Sequence, residues 1–147
     1  MKVREIMTAN PACCVATDTA QHVAKMMGDR NVGSVPVVDD SQSRKLLGII
    51  TDRDLCLAIV AQGLNPTNTE IKPYVKVQPL SCRDGENLET CARLMQQHQI
   101  RRVPVVDNQG RVIGIVAQAD LALKANPGTL QKTVREISKT ARPSIAA

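Results

Sequence analysis

The chain contains the same pattern of residues twice. The segment Val35-Pro36-Val37-Val38-Asp39 returns 68 positions later as Val103-Pro104-Val105-Val106-Asp107. Each copy is followed by a Gly, an aliphatic run and an Asp, namely Gly48-Ile49-Ile50-Thr51 with Asp54 and Gly114-Ile115-Val116-Ala117 with Asp120. A tandem repeat of this length predicts two similar units related by a pseudo-twofold axis, with a functional cleft between them.

The composition predicts one compact domain or a tight pair of small ones with an aliphatic core. The chain has 147 residues and is 43% hydrophobic, but it contains neither Phe nor Trp and only one Tyr. No apolar run approaches the roughly 18–20 residues that span a bilayer. The N-terminus leads into no apolar stretch of the signal-peptide kind, so we expect a cytoplasmic protein.

The formal net charge is +5, but the basic residues are interleaved with acidic ones. Proteins that bind single-stranded nucleic acids stack the bases on aromatic side chains, which this chain almost lacks. We therefore favour an anionic small ligand over nucleic acid, and DNA binding stays a minor alternative. No Ser-His-Asp set, paired carboxylates or Gly-rich phosphate loop is recognisable, so catalysis is not predicted.

The five cysteines contain no Cys-x-x-Cys motif, and no histidine pair has zinc spacing, so no metal site is predicted. The adjacent pair Cys13-Cys14 has two interpretations. The favoured one is that both are small buried apolar residues. The other is that the pair is redox-active or binds a soft metal.

Apolar residues with helical spacing occur in both copies and predict two matching helices. The first set is Ala20, Val23, Ala24 and Met27, and the second is Leu88, Cys91, Ala92 and Met95. Thr19 and Asn87 precede these sets as candidate N-caps. We expect the helices to end near residues 29–30 and 97–98.

The remaining patterns complete a β-α-β-β-α order in each copy, an α/β (α+β) fold. Strands are expected at 34–38 and 46–51 and again at 102–106 and 112–117, with short extended segments near 14–16 and 81–83. Second helices are expected from residues 52 and 118. The predicted division is repeat 1 at 1–63, a linker at 64–69, repeat 2 at 70–126 and a helical tail at 127–147, in which Leu130, Val134, Ile137 and Ala141 have helical spacing.

These motifs, in this order and twice, resemble the cystathionine-beta-synthase (CBS) domain, in the tandem pair called a Bateman module. The resemblance covers residues 1 to about 125 and includes Val3-Arg4-Glu5-Ile6-Met7-Thr8 leading to Pro11. The second copy departs from the pattern where Val75-Lys76 replaces Met7-Thr8.

The resemblance implies a regulatory module rather than an enzyme, with no required cofactor. Such modules typically bind adenosine-containing ligands, here AMP, ADP, ATP, NAD or S-adenosylmethionine, in clefts shared between the repeats. They commonly form homodimers. The chain contains no recognisable effector domain, so we expect its target to be a separate, unidentified protein.

The resemblance implies two unequal sites. Site one joins Thr51 and Asp54 to Arg101 and Arg102, with Leu80 beside the base. The aspartate is expected to hold the ribose hydroxyls, and the guanidinium groups suit phosphate. Arg53 is a further phosphate candidate, although exposed charge is the favoured interpretation.

Site two joins Asp120 to Thr19, Gly33 and Ser34, with Ala12 near the base. Ala117 stands where the motif has a hydroxyl, and Gly33-Ser34 occupies the positions that Arg101-Arg102 holds in the other copy. We therefore expect site one to bind nucleotide more tightly. If the clefts are vestigial, the alternative is an interaction scaffold, and a redox regulator acting through Cys13-Cys14 is a third hypothesis.

Overall fold

The structure, a computed structural model, describes residues 1–77 and 79–139. Its backbone contacts divide these residues into two compact units. The first-repeat unit consists of Asn10–Pro79 and Asn108–Val112, with residue 78 outside the description. The second-repeat unit consists of Met1–Ala9, Leu80–Asp107 and the described residues from Ile113 onward.

Helices and strands alternate along the chain as the repeated pattern predicts. In chain order they are α1 (Val3–Ile6), β1 (Thr8–Ala9), β2 (Cys14–Val15), α2 (Ala20–Arg30), β3 (Ser34–Val38), β4 (Leu46–Thr51), α3 (Asp52–Leu55), β5 (Lys76–Val77), β6 (Cys82–Arg83), α4 (Leu88–His98), β7 (Arg102–Val106), β8 (Val112–Ala117), α5 (Gln118–Lys124) and α6 (Pro127–Ser138). Helix α3 continues as a π-helical segment, Cys56–Val60, and a 3₁₀ turn covers Lys72–Tyr74. The mixed α+β class is confirmed.

Each unit is built on a four-stranded sheet. In the first-repeat unit the strand order is β2-β3-β4-β5, in which β2 runs parallel to β3 and the other neighbours are antiparallel. In the second-repeat unit the order is β1-β8-β7-β6, with β6 parallel to β7. The valines of the two Val-Pro-Val-Val segments lie in the buried strands β3 and β7.

One strand of each sheet was not predicted, and it comes from the start of the other repeat. Strand β1 pairs with β8, and β5 pairs with β4. A glycine permits each approach, because a Cβ on Gly48 would lie 2.4 Å from Val75 Cγ1 and one on Gly114 would lie 2.4 Å from Met7 Sδ. Each compact unit therefore contains a segment from outside its own contiguous repeat.

The predicted helix ends agree closely with the structure, but one predicted cap differs. The Thr19 hydroxyl accepts a hydrogen bond from the His22 N–H at 3.2 Å and caps α2. Asn87 occupies the N-cap position of α4 without such a bond, and its side-chain oxygen accepts from Lys2 Nζ at 2.9 Å instead. Asn87 Oδ1 therefore accepts from Lys2 and not from a backbone N–H of α4.

The predicted tail helix exists as α6, and it packs on α4 and α5. Thr133 and Ile137 are buried there, and Gln96 Nε2 donates to Thr133 Oγ1 at 3.0 Å. Val134 is only half-buried, and Ala141 lies outside the described residues. Helix α6 therefore covers one face of the second-repeat unit.

The matching face of the first-repeat unit has no such cover among the described residues. Ala92 in α4 is buried, whereas its repeat partner Ala24 in α2 is exposed. Ala24 lies in an apolar groove of about 430 Å³ between α2 and the α3 region. The groove is lined mainly by aliphatic residues, among them Met27, Leu55, Ile59, Val60 and Leu64.

Within residues 1–77 and 79–139, no helix combines the length and the hydropathy needed to cross a membrane.

Candidate functional site: two aspartate half-sites

Asp54 is held in a fixed orientation where β4 passes into α3. Its Oδ2 accepts a hydrogen bond from the Thr51 N–H at 2.9 Å, and its own N–H donates to Thr51 Oγ1 at 3.1 Å. This reciprocal pair is a capping box, which satisfies two backbone donors at the start of the helix. We call Thr51, Asp54 and their neighbours in the first-repeat unit the Asp54 half-site.

The second carboxylate oxygen of Asp54 faces a cation. Lys76 Nζ, from β5, lies 3.4 Å from Asp54 Oδ1. The Asp54 side chain is 18% exposed and the Lys76 side chain is 65% exposed. Sequence reasoning noted Lys76 only as a departure from the repeat and gave it no role.

Gly33 and Ser34, predicted for site two, lie beside Thr51 in the same unit. The Asp52 N–H donates to the Gly33 carbonyl at 3.0 Å, and Ser34 is opposite Thr51 in the β3–β4 ladder. The Ser34 hydroxyl is buried and has no hydrogen-bond partner among the described residues. A buried polar group in that state costs free energy, so this hydroxyl is a candidate ligand contact.

Asp120 repeats the geometry of Asp54 in the second-repeat unit. Its Oδ2 accepts from the Ala117 N–H at 2.7 Å at the start of α5. Ala117 has no hydroxyl, so only one arm of the box exists here. We call Asp120 and its neighbours the Asp120 half-site.

The two predicted arginines lie in the same unit as Asp120. The Gln118 N–H donates to the Arg101 carbonyl at 2.9 Å, which places the start of β7 beside the start of α5. Arg102 is half-buried and Arg101 is exposed.

The other predicted site residues divide between the units. Thr19, which caps α2, and the half-buried Ala12 belong to the first-repeat unit, as does the exposed Arg53. Leu80 is half-buried in the second-repeat unit. Sites one and two each draw residues from both units, so both stay predictions.

Cys13 and Cys14 are free thiols in the first-repeat unit. Burial raises the pKa of the Cys14 thiol to about 12, and the nearby Asp18 carboxylate adds to the rise. Burial also raises the pKa of Cys13, although the Arg44 guanidinium, 3.3 Å from its sulfur, acts in the opposite direction. Both thiols are therefore protonated at neutral pH, which disfavours nucleophilic reactivity.

No group of three or more His, Cys, Asp or Glu side chains among the described residues is arranged to hold a metal ion.

Comparison with known proteins identifies the family. The CBS domain model matches residues 3–61 and 71–125. The chain belongs to the CBS domain family. It is 39% identical over 121 residues to the CBS domain-containing protein YhcV of Bacillus subtilis, an alignment that covers 82% of this chain and 83% of that protein.

Two solved CBS structures resemble this chain and contain adenosine compounds. The CBS domain pair of protein MJ0100, in complex with 5'-methylthioadenosine and S-adenosyl-L-methionine, aligns with a TM-score of 0.74 and 28% identity over 84% of this chain and 94% of that one. CBSX2 in complex with AMP aligns with a TM-score of 0.71 and 27% identity over 84% of this chain and 95% of that one. The CBS domain pair and its α+β fold are therefore established for this chain.

Proposed function

We propose that this chain is a regulatory module that binds an adenosine-containing ligand with its two CBS repeats and communicates ligand binding to a separate protein. AMP, ADP, ATP, NAD and S-adenosylmethionine are the ligand candidates. The module has no catalytic role in this proposal, and a cytoplasmic location stays a prediction of the sequence.

The observation that carries the proposal is the shared geometry of Asp54 and Asp120. In both units a backbone N–H fixes Oδ2 of the aspartate at the start of a helix. A carboxylate has about four acceptor positions, so a fixed one retains capacity for the two hydroxyl protons of a ribose. The adenosine ligands of the similar CBS proteins supply a ribose of that kind.

For each complete site we propose the set of residues that the sequence suggests. Site one combines Thr51 and Asp54 with Arg101, Arg102 and Leu80, and Arg53 is a secondary candidate. Site two combines Asp120 with Thr19, Gly33, Ser34 and Ala12. The buried Ser34 hydroxyl supports site two, because a ligand oxygen or nitrogen would give it a partner.

The test is thermal unfolding of the purified, ligand-free protein with each candidate ligand. A ligand that binds only the folded state adds about 2.7 kcal/mol of stability at a hundredfold excess over its Kd. A protein of this size should then unfold at a temperature a few degrees higher. We expect such a shift with at least one ligand, and a smaller shift for Asp54→Asn.

Asp29→Asn is the matched control, because Asp29 is an exposed acid in α2 and the charge change is the same. Its ligand-induced shift should equal that of the wild type. A wild-type protein that responds to no ligand in the panel would contradict the proposal. Equal shifts for all three proteins would show that Asp54 is not part of the site.

A homodimer is the second part of the proposal, and the uncovered groove of the first-repeat unit supports it. The groove is apolar, and Val60 and Leu64 at its sides are 75% and 39% exposed. Exposed apolar surface of this kind commonly marks a protein interaction site.

The scaffold alternative has one observation in its favour. Ala117 lacks the hydroxyl that Thr51 uses in the capping box, so the Asp120 half-site has lost one polar group. A scaffold with vestigial clefts predicts an unchanged melting temperature with every ligand. The redox alternative is disfavoured by the raised pKa values of Cys13 and Cys14.

A further inference from the structure

The two half-sites share an aspartate but differ in whether a cation pairs directly with it. In the Asp54 half-site, Lys76 Nζ lies 3.4 Å from Asp54 Oδ1. In the Asp120 half-site, Asp120 has no ion-pair partner within residues 1–77 and 79–139. Since the carboxylates and their backbone N–H contacts correspond, this ion pair is the difference in the immediate contacts of the two aspartates.

The strand registers identify the residue that matches Lys76. Lys76 is opposite Ile49 in the β4–β5 ladder, and Thr8 is opposite Ile115 in the β1–β8 ladder. Ile49 and Ile115 occupy the same place in the two copies of the repeat. Thr8 is therefore the uncharged counterpart of Lys76.

Close packing of the backbone fixes the position of Lys76. A Cβ on Gly48 would lie 2.6 Å from the Lys76 carbonyl oxygen, so only glycine lets β5 approach β4 this closely. The aliphatic stem of Lys76 starts from this anchored strand, while its side chain is 65% exposed. The ammonium group is thus positioned near Asp54 but stays accessible to a ligand.

We propose that Lys76 is a specificity-determining residue that makes the Asp54 half-site prefer adenosine ligands carrying a phosphate over uncharged ones. This inference rests on the proposed function, because it assumes that Asp54 holds the ribose. An exposed ion pair is weak, so the ammonium can leave the carboxylate at little cost and pair with a ligand phosphate. In the Asp120 half-site Thr8 stands in this place, and it cannot form such a pair.

The simplest competing role for Lys76 is an internal counter-ion that only neutralises Asp54. A counter-ion of that kind must be displaced by every ribose, whatever else the ligand carries. Its removal would tighten the binding of charged and uncharged ligands equally. The two roles therefore predict different selectivities, not only different affinities.

The test compares AMP with adenosine by isothermal titration calorimetry. Asp120→Asn serves as the background, so that binding reports mainly on the Asp54 half-site. Lys76→Thr, which installs the residue found at the matching position, should weaken AMP about 2- to 5-fold. Adenosine should be bound as before. Added salt should reduce the AMP preference of Asp120→Asn more than that of the double variant, which keeps only Arg101 and Arg102 as phosphate candidates of site one.

Lys72→Thr is the matched control, because Lys72 is an exposed lysine of the same unit and carries the same charge. It should leave both affinities unchanged. Lys76→Arg should retain the preference for AMP, and Lys76→Gln replaces Lys76→Thr if the threonine variant fails to fold. Thermal unfolding without ligand verifies the folded state of each variant.

Each result separates this inference from the proposed function. If Lys76→Thr changes AMP and adenosine by the same factor, Lys76 does not determine specificity, while ligand binding itself stands. If the wild-type protein binds neither compound nor any other adenosine ligand, the proposed function is wrong and this inference with it. A selective loss of AMP affinity supports both.

Discussion

At the scale of single residues, two hydroxyl groups of the first-repeat unit differ in what they contribute to stability. Thr19 Oγ1 accepts the His22 N–H and caps α2. Ser34 Oγ is buried without a partner among the described residues. Both residues belong to the predicted site two, so their stability effects must be separated from their effects on ligand binding.

We expect opposite results from the two alanine substitutions. Thr19→Ala removes a helix cap and should lower the free energy of unfolding by about 1 kcal/mol. Ser34→Ala removes an unsatisfied buried hydroxyl and should raise that free energy, by up to about 1 kcal/mol. Urea unfolding without ligand measures both values. A loss of stability on Ser34→Ala would show that its hydroxyl has a partner in solution.

The residue chemistry of the half-sites can be predicted from the sequence only in part. The paired aspartates are visible because the repeat places them at corresponding positions, and Arg101-Arg102 is visible because it differs from Gly33-Ser34 at the matching positions. The ion pair of Lys76 with Asp54 joins residues far apart in the chain, and no local pattern indicates it. The sequence shows Lys76 only as a mismatch between the two copies.

At the scale of elements, α6 explains why two similar helices are buried differently. Helix α6 packs on α4, and the Gln96–Thr133 hydrogen bond joins the two helices. Within residues 1–77 and 79–139 no helix covers α2 in this way, and Ala24 is exposed where Ala92 is buried. Burial of Ile137 is the main apolar contribution of α6 that can be tested with one substitution.

Ile137→Ala should lower the free energy of unfolding by about 2–4 kcal/mol, because Ile137 is only 4% exposed and belongs to the core of the second-repeat unit. Urea unfolding measures the change. Ser138→Ala is the control in the same helix, since Ser138 is exposed and its loss should cost little. A loss well below 1 kcal/mol for Ile137→Ala would mean that α6 is not docked in solution.

The long elements can be predicted from the sequence almost to the residue, and the short ones cannot. Helices α2 and α4 have strong apolar periodicity, strands β3, β4, β7 and β8 are continuous apolar runs, and each copy supports the other. Strands β1 and β5 have two residues each, too few to show alternation. They form because the backbone can pass close to Gly48 and Gly114, which is a tertiary contact rather than a local preference.

At the scale of the whole molecule, the proposed regulation is a shift between conformations. A ligand changes such an equilibrium only by the difference in its affinity for the two states. A ligand that contacts residues of both repeats, as proposed for sites one and two, meets this condition if the repeats rearrange. In a homodimer, such a rearrangement would change the surface that a partner protein binds.

The apolar groove of the first-repeat unit makes the dimer prediction specific. Because α6 covers α4 in the second-repeat unit, we predict that self-association uses the face of α2 and the α3 region. Val60→Glu places a charge at this groove, and a charge buried in an apolar interface is costly. We therefore expect the wild type to sediment as a dimer and Val60→Glu as a monomer in analytical ultracentrifugation.

Leu123→Glu is the matched control for this interface. Leu123 lies in α5 and is 82% exposed, and the same substitution there should leave the dimer intact. A wild-type protein that sediments as a monomer would contradict the homodimer. If Leu123→Glu also dissociates the dimer, the interface includes the second-repeat unit, and coverage by α6 does not limit self-association. If Leu123→Glu keeps the dimer and Val60→Glu loses it, the interface is assigned to the groove.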